Sequence, residues 1–544
     1  FSSAVMPANS RMFWKVRAMP AAATWCGLSS CRGLPAKTTS PVLTEATASA
    51  VTRECGPGFA RDTKSELFVT AVSTLLEGTF YESADERAAR IAALTSTVAV
   101  ADPAWMTNFV TWLRGVANLR SVSVFIAAVA AKARTDAGLH GGTRQIVAGA
   151  IRRADEPGEM LAAWRAIDGG MPPKPVKRGV ADGVLATYTE RSWLKYRGRG
   201  KNGDYSMADV LNVVHPKPDS DRRSSLFAVI LADQYGADVS TDGLPLIAAR
   251  QAFADPPVEQ RLTAITGPNG ADVIRDAGLT WDSLSGLLGG KLPAQAWEAL
   301  VPNMGVMALT MNLRNMGDAE VSRQTVRAIE DRLADADQVR DSRMLPMQLL
   351  SAYRNAPLAF HSGLEQAMQA SLANVPALSG RTLILVDTSA SMSWARTSGK
   401  SQLTFMDAAA MFGSALALRA ENADLVQFGS ISERVRFSKL DAILQVTARF
   451  KGLGGTQTAE AVRNHYLGHD RVVIVTDEQN AGGDPLSLIP AKVPVYTWNL
   501  VGYQHGHGPS GSGNRHTFGG LTDAMFALIP LIERGRNANW PWKN

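Results

Sequence analysis

Residues 381–391 read Arg-Thr-Leu-Ile-Leu-Val-Asp-Thr-Ser-Ala-Ser, and this stretch decides the fold of the second half of the chain. Its apolar run is short and continuous up to Val386, as in a parallel strand that is buried on both faces. Asp387 follows at once, where a strand of a parallel sheet reaches its ligand-binding edge. The stretch therefore predicts a buried strand that brings polar side chains to the carboxyl edge of a sheet.

Strands and helices alternate in the sequence that follows. Because such alternation builds a parallel sheet with helices on both faces, we predict a doubly wound α/β domain over residues 379–544. The further predicted strands are 423–428, 471–476 and 493–500, and the predicted helices are 403–420, 440–450, 458–466 and 522–531.

Polar side chains that suit a hard cation follow two of these strands. Asp387, Ser389 and Ser391 alternate along the chain, so in an extended turn their side chains converge on one point. Asp477 follows a later strand, and Thr456 lies in a Gly-rich turn between them. Two carboxylates and three hydroxyls are hard ligands of low total charge, which suits Mg²⁺ or Mn²⁺ with coordination sites left open. The alternative is that Asp387 and the serines only cap a helix.

The sequence upstream of this domain is almost entirely helical in pattern. From about residue 60 to 375, apolar residues recur at helical spacing and Gly or Pro breakers separate the segments. Many helices with short connections predict an α-solenoid, and a compact helical bundle is the alternative. The clearest predicted helices are 64–80, 85–97, 105–116, 122–134, 143–153 and 160–167.

The densest positive charge lies in the stretch 195–205. Its glycines disfavour a helix, so we predict an extended loop with cations about 6–7 Å apart, close to the phosphate interval of a stretched single strand. Tyr196 and Tyr205 are candidates to stack on bases. A solvated loop without a partner is the alternative. With the neighbouring cations included, the candidate RNA-binding residues are Lys174, Lys177, Arg178, Lys195, Arg197, Arg199, Lys201, His215 and Lys217.

Composition permits these predictions without demanding them. The chain has 544 residues, a net charge of +6 and three cysteines, none of them in a CxxC pair. This pattern favours several domains in a reducing, cytoplasmic setting and argues against a disulfide framework or a zinc site. No apolar run is long enough to span a membrane. Residues 1–44 lack Asp and Glu, so we treat residues 1–50 as a basic extension. Such an extension resembles a targeting peptide or a tag.

Two known families resemble these patterns. The set Asp387, Ser389, Ser391, Thr456 and Asp477 is similar to the metal-ion-dependent adhesion site of von Willebrand factor type A domains, with its DxSxS order and its later Thr and Asp. The stretch from Lys174 to Pro218 resembles the TROVE module of telomerase-associated and Ro proteins. The segments that carry this resemblance are "KPVKRGVADGV", "YTERSWLKYRGRG" and "MADVLNVVHPKP", with further similarity at 297–316 and 343–347.

The resemblance implies a fold and a function. Residues 51–378 would form a ring of HEAT-like helical repeats, and residues 379–544 a type A domain that bridges the ends of the ring. Such proteins bind small noncoding Y RNAs on a basic outer face and single-stranded ends of misfolded RNA in the central hole. The corresponding contact residues are Lys195, either Arg199 or Lys201, and His215.

The same resemblance implies partners and excludes catalysis. A bound Mg²⁺ or Mn²⁺ would be completed by a carboxylate from a protein partner, and a nuclease similar to polynucleotide phosphorylase would dock on the particle. We expect no enzyme, because no Walker, GxSxG or zinc motif occurs. Three alternatives stay open: a metal-dependent protein-interaction module, a structural assembly protein, and metal-assisted hydrolysis near His505 and His507, which we expect to be exposed.

Overall fold

The computed structural model describes most of the chain after the basic extension. The described residues are 46–52, 57–73, 82–139, 141–197, 205–344, 346–397, 402–511, 514–520, 526, 528–533, 540 and 542. Among them no helix is both long and apolar enough to cross a membrane.

The first part of the chain is an array of helices. Capping motifs mark several starts; the Ser83 hydroxyl accepts from the Glu86 backbone N–H, and the Glu86 carboxylate accepts from the Ser83 N–H in return. The helices are α1 Thr63–Val72, α2 Ala84–Ala101, α3 Pro103–Gly115, α4 Arg120–Asp136, α5 Thr143–Gly149, α6 Glu156–Asp168, α7 Lys174–Thr187, α8 Glu190–Tyr196, α9 Met207–Val214, α10 Asp221–Tyr235, α11 Pro245–Ala254, α12 Val258–Thr266, α13 Gly270–Asp276, α14 Trp281–Leu287, α15 Ala294–Leu300, α16 Val306–Asp318, α17 Arg323–Ala334, α18 Ala336–Ser342, α19 Pro346–Asn355 and α20 His361–Ser371.

The helices stack as a solenoid and not as a compact bundle. Helix α2 packs on α4 and α4 on α6, while α3 packs on α5 and α5 on α7. Alternate helices therefore form two layers that share one core, which confirms the predicted solenoid. Glycine allows the closest approach: a Cβ atom on Gly183 of α7 would lie 2.5 Å from Ile151, which follows α5. The predicted helix 64–80 ends at Val72 in the described residues.

The second part of the chain is the predicted α/β domain. Its six-stranded sheet has the order β5-β4-β3-β6-β7-β9, parallel except for the edge strand β5. The strands are β3 Leu378–Asp387, β4 Ala420–Phe428, β5 Ser432–Arg434, β6 Arg471–Thr476, β7 Val495–Asn499 and β9 Arg515–Gly519. The helices are α21 Ala390–Trp394, α22 Phe405–Arg419, α23 Ile443–Thr447, α24 Thr458–His465 and α25 Leu528–Glu533.

Both faces of the sheet are buried, as the continuous apolar run of β3 predicts. Ile384 and Val386 face the core that includes α22 and continues into the helical array, while Leu383 and Leu385 face a second core on the α24 side. The sequence did not reveal β5 or β9, because β5 has only three residues and β9 reads Arg-His-Thr-Phe-Gly. The helix predicted at 440–450 is confined to α23.

A small second sheet joins the two ends of the chain. Strands β1 (Ala46–Val51) and β2 (Pro57–Arg61) form an antiparallel ribbon, and β2 also pairs with β8 (His505–Gly506) of the α/β domain. The boundary that we set after residue 50 therefore falls inside strand β1. The apolar positions of β1 are mostly alanines, which favour strands weakly, so its sequence shows little sign of a strand.

The helical array begins and ends against the α/β domain. At its start, Arg87 donates to the Val501 carbonyl at 2.6 Å and Arg90 to the Gly502 carbonyl at 2.9 Å. At its end, Arg354 of α19 donates to Asp407 of α22 at 2.7 Å. The contacts between the two parts therefore close a circuit, which agrees with a ring bridged by the α/β domain.

Candidate nucleic-acid interface and metal centre

The two aspartates of the predicted metal site lie side by side at the carboxyl edge of the sheet. Strands β3 and β6 are parallel neighbours, with Val386 opposite Val475, so the two strands end at the same level of the sheet. Asp387 and Asp477 follow there, and neither is exposed to solvent. The Thr476 hydroxyl, at the end of β6, donates to the Asp387 carboxylate at 2.6 Å.

A chain of hydrogen bonds links the predicted donors. The Ser389 backbone N–H donates to Asp387 Oδ1 at 2.9 Å, and the Ser389 and Ser391 hydroxyl oxygens are 3.1 Å apart. The Ser391 hydroxyl donates to Asp477 Oδ2 at 2.7 Å. The helix-capping alternative assigns these serines no bond to Asp477. The observed bond, in contrast, brings oxygen atoms from two strands to one buried point.

The fifth predicted donor, Thr456, lies on a loop that is attached to the same turn. Ser389 forms a parallel bridge with Gly454, and the Ala390 N–H donates to the Gly454 carbonyl at 2.7 Å. Gly454 adopts a φ of +84°, which glycine tolerates without strain. Thr456 is 3% exposed. The loop thus keeps a hydroxyl buried near the two aspartates.

The donor set fits a small hard cation. Two carboxylates and three hydroxyls supply only oxygen, which Mg²⁺ prefers, and the modest charge leaves coordination sites for water or an outside carboxylate. Among the described residues no three His, Cys, Asp or Glu side chains are arranged to hold a metal. Any cation at this edge therefore depends on the serine and threonine hydroxyls. Occupancy of the site stays a prediction.

A buried ion pair that the sequence did not indicate lies next to Asp477. Glu478 has a left-handed φ of 62°, which turns its side chain toward β2. There it pairs with Arg61, and the Asn499 amide donates to the same carboxylate at 2.5 Å. Nearby, His507 is fully buried, so the expectation that it is exposed was wrong. Burial lowers the pKa of His507, which disfavours its charged form.

The first predicted cations, Lys174, Lys177 and Arg178, lie in the first turns of α7. Lys174 and Arg178 are exposed and Lys177 is half-buried. From Arg178 to the end of α7 at Thr187 the helix continues for about 14 Å, at 1.5 Å per residue. The part of these three residues in RNA binding stays a prediction.

The predicted basic loop starts as a helix. Lys195 and Tyr196 form the last turn of α8, and Arg197 is its C-cap, so alternate residues do not point the same way there. Lys195 is exposed, with its Nζ 5.5 Å from the centroid of the Tyr196 ring. Arg197 lies over Trp193 at 4.9 Å and pairs with Asp233 at 2.5 Å. Arg199 and Lys201 lie outside the described residues.

Tyr196 has a structural role, and its predicted stacking on bases was wrong. Its ring is 6% exposed, and its hydroxyl accepts a hydrogen bond from Arg153 at 2.7 Å. Tyr205 is half-buried, and its carbonyl oxygen lies against Gly158 of α6. Tyr196 therefore attaches the end of α8 to Arg153, and Tyr205 packs the start of α9 on α6.

His215 and Lys217 form the other end of the predicted interface. His215 caps α9 with a left-handed φ of 47°, an uncommon conformation for a residue other than glycine. Both side chains are exposed. The short helix α9 thus ends at this histidine.

Three further arginines border the same surface and were missed from the sequence. Arg191 lies four residues before Lys195 on α8, so the two share one helix face. Arg222 pairs with the buried Glu190 at the start of α8, and Arg223 pairs with Asp219. These arginines surround a cavity of about 370 Å³. The four-residue spacing of Arg191 and Lys195 could have indicated that both lie on one helix face. It was overlooked because the stretch from Lys195 onward was predicted to be a loop.

Comparisons with known proteins agree with the predicted resemblance to TROVE and Ro proteins. Residues 276–387 match the model of the TROVE domain, from α13 to the end of β3. An RNA-binding protein RO60 of Deinococcus radiodurans is 26% identical over 337 residues, which cover 56% of this chain and 60% of that protein. The crystal structure of the Deinococcus radiodurans Ro (Rsr) protein is similar with a TM-score of 0.62 and 20% identity, covering 85% of this chain and 99% of that chain.

These findings confirm the predicted fold class and the resemblance to Ro proteins. The chain matches over less than two thirds of the curated relative's length. The matched TROVE segment includes the similarity at 297–316 and 343–347 but begins after Lys174–Pro218. The RNA-contact positions in that earlier stretch therefore remain predictions.

Proposed function

We propose that this chain, which matches the TROVE domain and has the fold of a Ro protein, binds noncoding RNA as a scaffold or chaperone. Its relative carries the name RNA-binding protein, which supports this function for the present chain. The proposed RNA is a small Y-like RNA on the basic surface of α8 and α9, together with single-stranded ends of misfolded RNA in the ring. The proposed setting is RNA quality control in the cytoplasm.

One observation carries the proposal. The positions that correspond to RNA contacts in Ro proteins, Lys195 and His215, are exposed at the ends of two helices whose other faces are buried. Arg191 and Lys217 are exposed beside them. A rigid helical scaffold that presents several cations is suited to hold an RNA backbone, because each phosphate contact releases counterions. Shape and free ends of the RNA would then supply the specificity.

The proposed action is physical and not catalytic. The cations hold RNA, and a Y-like RNA on the rim gates entry to the ring and docks a nuclease similar to polynucleotide phosphorylase. Mg²⁺ at Asp387, Ser389, Ser391, Thr456 and Asp477 supplies open coordination sites for the carboxylate of a protein partner. The residues of this chain hold the cation and exclude bulk water, since every one of them is buried.

The decisive experiment is recovery of RNA with the protein. The full chain is purified from its native host and the RNA that accompanies it is sequenced, beside a variant with Lys195, Arg197, Arg199 and Lys201 changed to Ala. We expect a discrete small RNA with the unchanged protein and its loss from the variant. The control replaces the exposed Lys291 by Ala, which leaves the bound RNA unchanged. Absence of any enriched RNA would refute the proposal.

A second candidate function is metal-dependent protein binding without a specific RNA. The observation that favours it is the preformed chain from Asp387 through Ser389 and Ser391 to Asp477, which lies beside the exposed Trp394. Affinity capture with the full chain in Mg²⁺ and again in excess EDTA tests it. A protein retained only with Mg²⁺, and retained by the RNA-binding variant as well, would support this function.

A further inference from the structure

A cavity at the edge of the helical array is lined by chemistry that the functions above do not use. Its volume is about 680 Å³, within the usual range of small-ligand sites. Asn108, Thr111 and Trp112 of α3 line one side, Arg152 lines another, and Trp542 from the end of the chain lines a third. The cavity thus combines indole rings, an amide, a hydroxyl and a guanidinium.

The end of the chain builds the aromatic wall. Trp540 stacks on Trp542 with the ring planes 7° apart, and both rings meet Trp105 edge-on. Trp542 also packs on Trp112 at 5.9 Å between centroids. Its indole is therefore held from several sides while it remains half-exposed at the cavity. A fixed, partly exposed indole is a platform on which a planar ring stacks at little entropic cost.

The polar groups of the cavity are free to bind a ligand. Arg152 is exposed and forms no ion pair among the described residues, unlike Arg114, which pairs with the buried Glu156. The Asn108 side chain is also exposed, and no hydrogen bond engages its amide in the described part of the chain. The Arg152 cation, the Asn108 amide and the half-exposed Trp542 indole match the phosphate, the polar edge and the face of a nucleotide.

The cavity lies next to the basic surface. Arg153 follows Arg152 directly, and its guanidinium donates to the Tyr196 hydroxyl at 2.7 Å. Tyr196 in turn lies beneath Lys195, the exposed cation at the end of α8. Arg152 and Arg153 therefore connect the lining of the cavity to the helix that carries Lys195.

We propose that the cavity lined by Trp112, Trp542 and Arg152 binds one nucleotide of a single-stranded RNA segment. The base stacks on Trp542, Asn108 contacts the edge of the base, and Arg152 contacts the adjoining phosphate. Stacking accepts every base, so the site holds a strand without reading its sequence. This inference rests on the proposed RNA binding and assigns a position to the single-stranded part.

The test uses the full chain and a ten-nucleotide oligouridylate with one central 2-aminopurine. Binding is followed by anisotropy, and stacking by quenching of the 2-aminopurine fluorescence. We expect quenching with the unchanged protein, and with Trp542→Ala we expect its loss and an affinity about tenfold weaker. Arg152→Gln weakens binding and lowers the salt slope by about 0.7, the value for one phosphate contact on a single strand. Trp542→Phe, which keeps an aromatic face, retains most of the quenching.

Matched controls separate local effects from unfolding. Trp394→Ala removes an exposed indole of the α/β domain, and Arg463→Gln removes an exposed guanidinium there, so both leave binding and quenching unchanged. Equal quenching and affinity in Trp542→Ala and the unchanged protein would overturn the site while leaving RNA binding intact. No binding of the strand or of structured RNA to the unchanged protein would overturn both proposals.

Free AMP distinguishes a strand from a mononucleotide. If the cavity holds one nucleotide of a strand, AMP competes weakly, because it lacks the contacts to α8. If AMP displaces the oligonucleotide at concentrations near the dissociation constant of the oligonucleotide itself, the assignment to single-stranded RNA is overturned.

Discussion

The Arg61 guanidinium pairs with the Glu478 carboxylate, and each side chain exposes only 1% of its surface. Arg61 ends strand β2, before the helical array, and Glu478 directly follows Asp477 of the predicted metal site. The pair therefore joins the two parts of the molecule where the circuit of contacts closes. Its burial makes each charge depend on the other, because neither is hydrated.

Arg61→Met is expected to destabilise the protein by about 3–5 kcal/mol, because it leaves Glu478 charged and buried without its partner. Urea unfolding measures this loss, and hydrogen exchange of β1 and β2 locates it. The double variant Arg61→Met/Glu478→Leu is less destabilised than the single one. Removal of the exposed guanidinium in Arg144→Met is the control and changes stability little. An equal loss of stability in Arg61→Met and Arg144→Met would contradict the role of the buried pair.

Ser391→Ala is expected to weaken Mn²⁺ binding by about tenfold or more, because it removes one donor and the hydrogen bond to Asp477. Mn²⁺ serves as the probe, and electron paramagnetic resonance counts the free ion. Ser393→Ala changes a hydroxyl in the same short helix, which among the described residues bonds to the Ser389 carbonyl and Met406, and we expect this variant to bind Mn²⁺ normally. Equal affinity of both variants would exclude Ser391 as a ligand.

Lys195→Gln and Lys217→Gln are each expected to lower the slope of log Kd against log salt by about 0.9 for structured RNA. Both side chains are exposed, so their loss removes a phosphate contact without disturbing the core. Filter binding at salt concentrations from about 50 to about 200 mM gives the slopes. Lys291→Gln removes the same charge elsewhere on the array. Three identical slopes would place the RNA on another surface.

Stability should fall with rising pH through the titration of Glu159. Burial, opposed by Arg120 and reinforced by the Asp155 and Glu156 carboxylates, raises the pKa of Glu159 from 4.5 to about 7. The folded protein then keeps a proton that the unfolded chain loses, so this contribution is complete below pH 4.5 and lost as the pH approaches 7.

The variant Glu159→Gln tests this assignment. Its melting temperature should depend less on pH between 4.5 and 7 and should exceed that of the unchanged protein above that range. Glu460→Gln, at an exposed position of α24, should follow the unchanged protein at every pH. If the melting temperature of Glu159→Gln changes with pH in the same way as that of the unchanged protein, Arg120 keeps the Glu159 carboxylate ionised.

Gly183→Ala is expected to destabilise the array by about 1–3 kcal/mol, because the added methyl group would lie 2.5 Å from Ile151. Gly286→Ala is the matched control in α14, where nothing lies within 4 Å of the new Cβ atom. It should stabilise by about 1 kcal/mol through helix propensity. Thermal and urea unfolding distinguish the expected loss of stability in Gly183→Ala from the expected gain in Gly286→Ala.

Some features of this protein were determined by the sequence alone. The continuous apolar run before Asp387 indicated a strand buried on both faces, because the run is shorter than a buried helix normally is. Alternation of strands and helices then determined a doubly wound sheet. The proximity of Asp387 and Asp477 was predictable for the same reason, since parallel strands end at one edge of the sheet.

Other features were decided only by the tertiary structure. The sequence of the stretch 195–205 favours a loop, but Tyr196 is buried and Lys195 lies in α8, because burial of a large ring outweighs weak local preferences. The Arg61–Glu478 pair and the Trp542 cavity join residues more than 400 positions apart. No local pattern encodes such contacts, since they exist only after the chain has closed on itself.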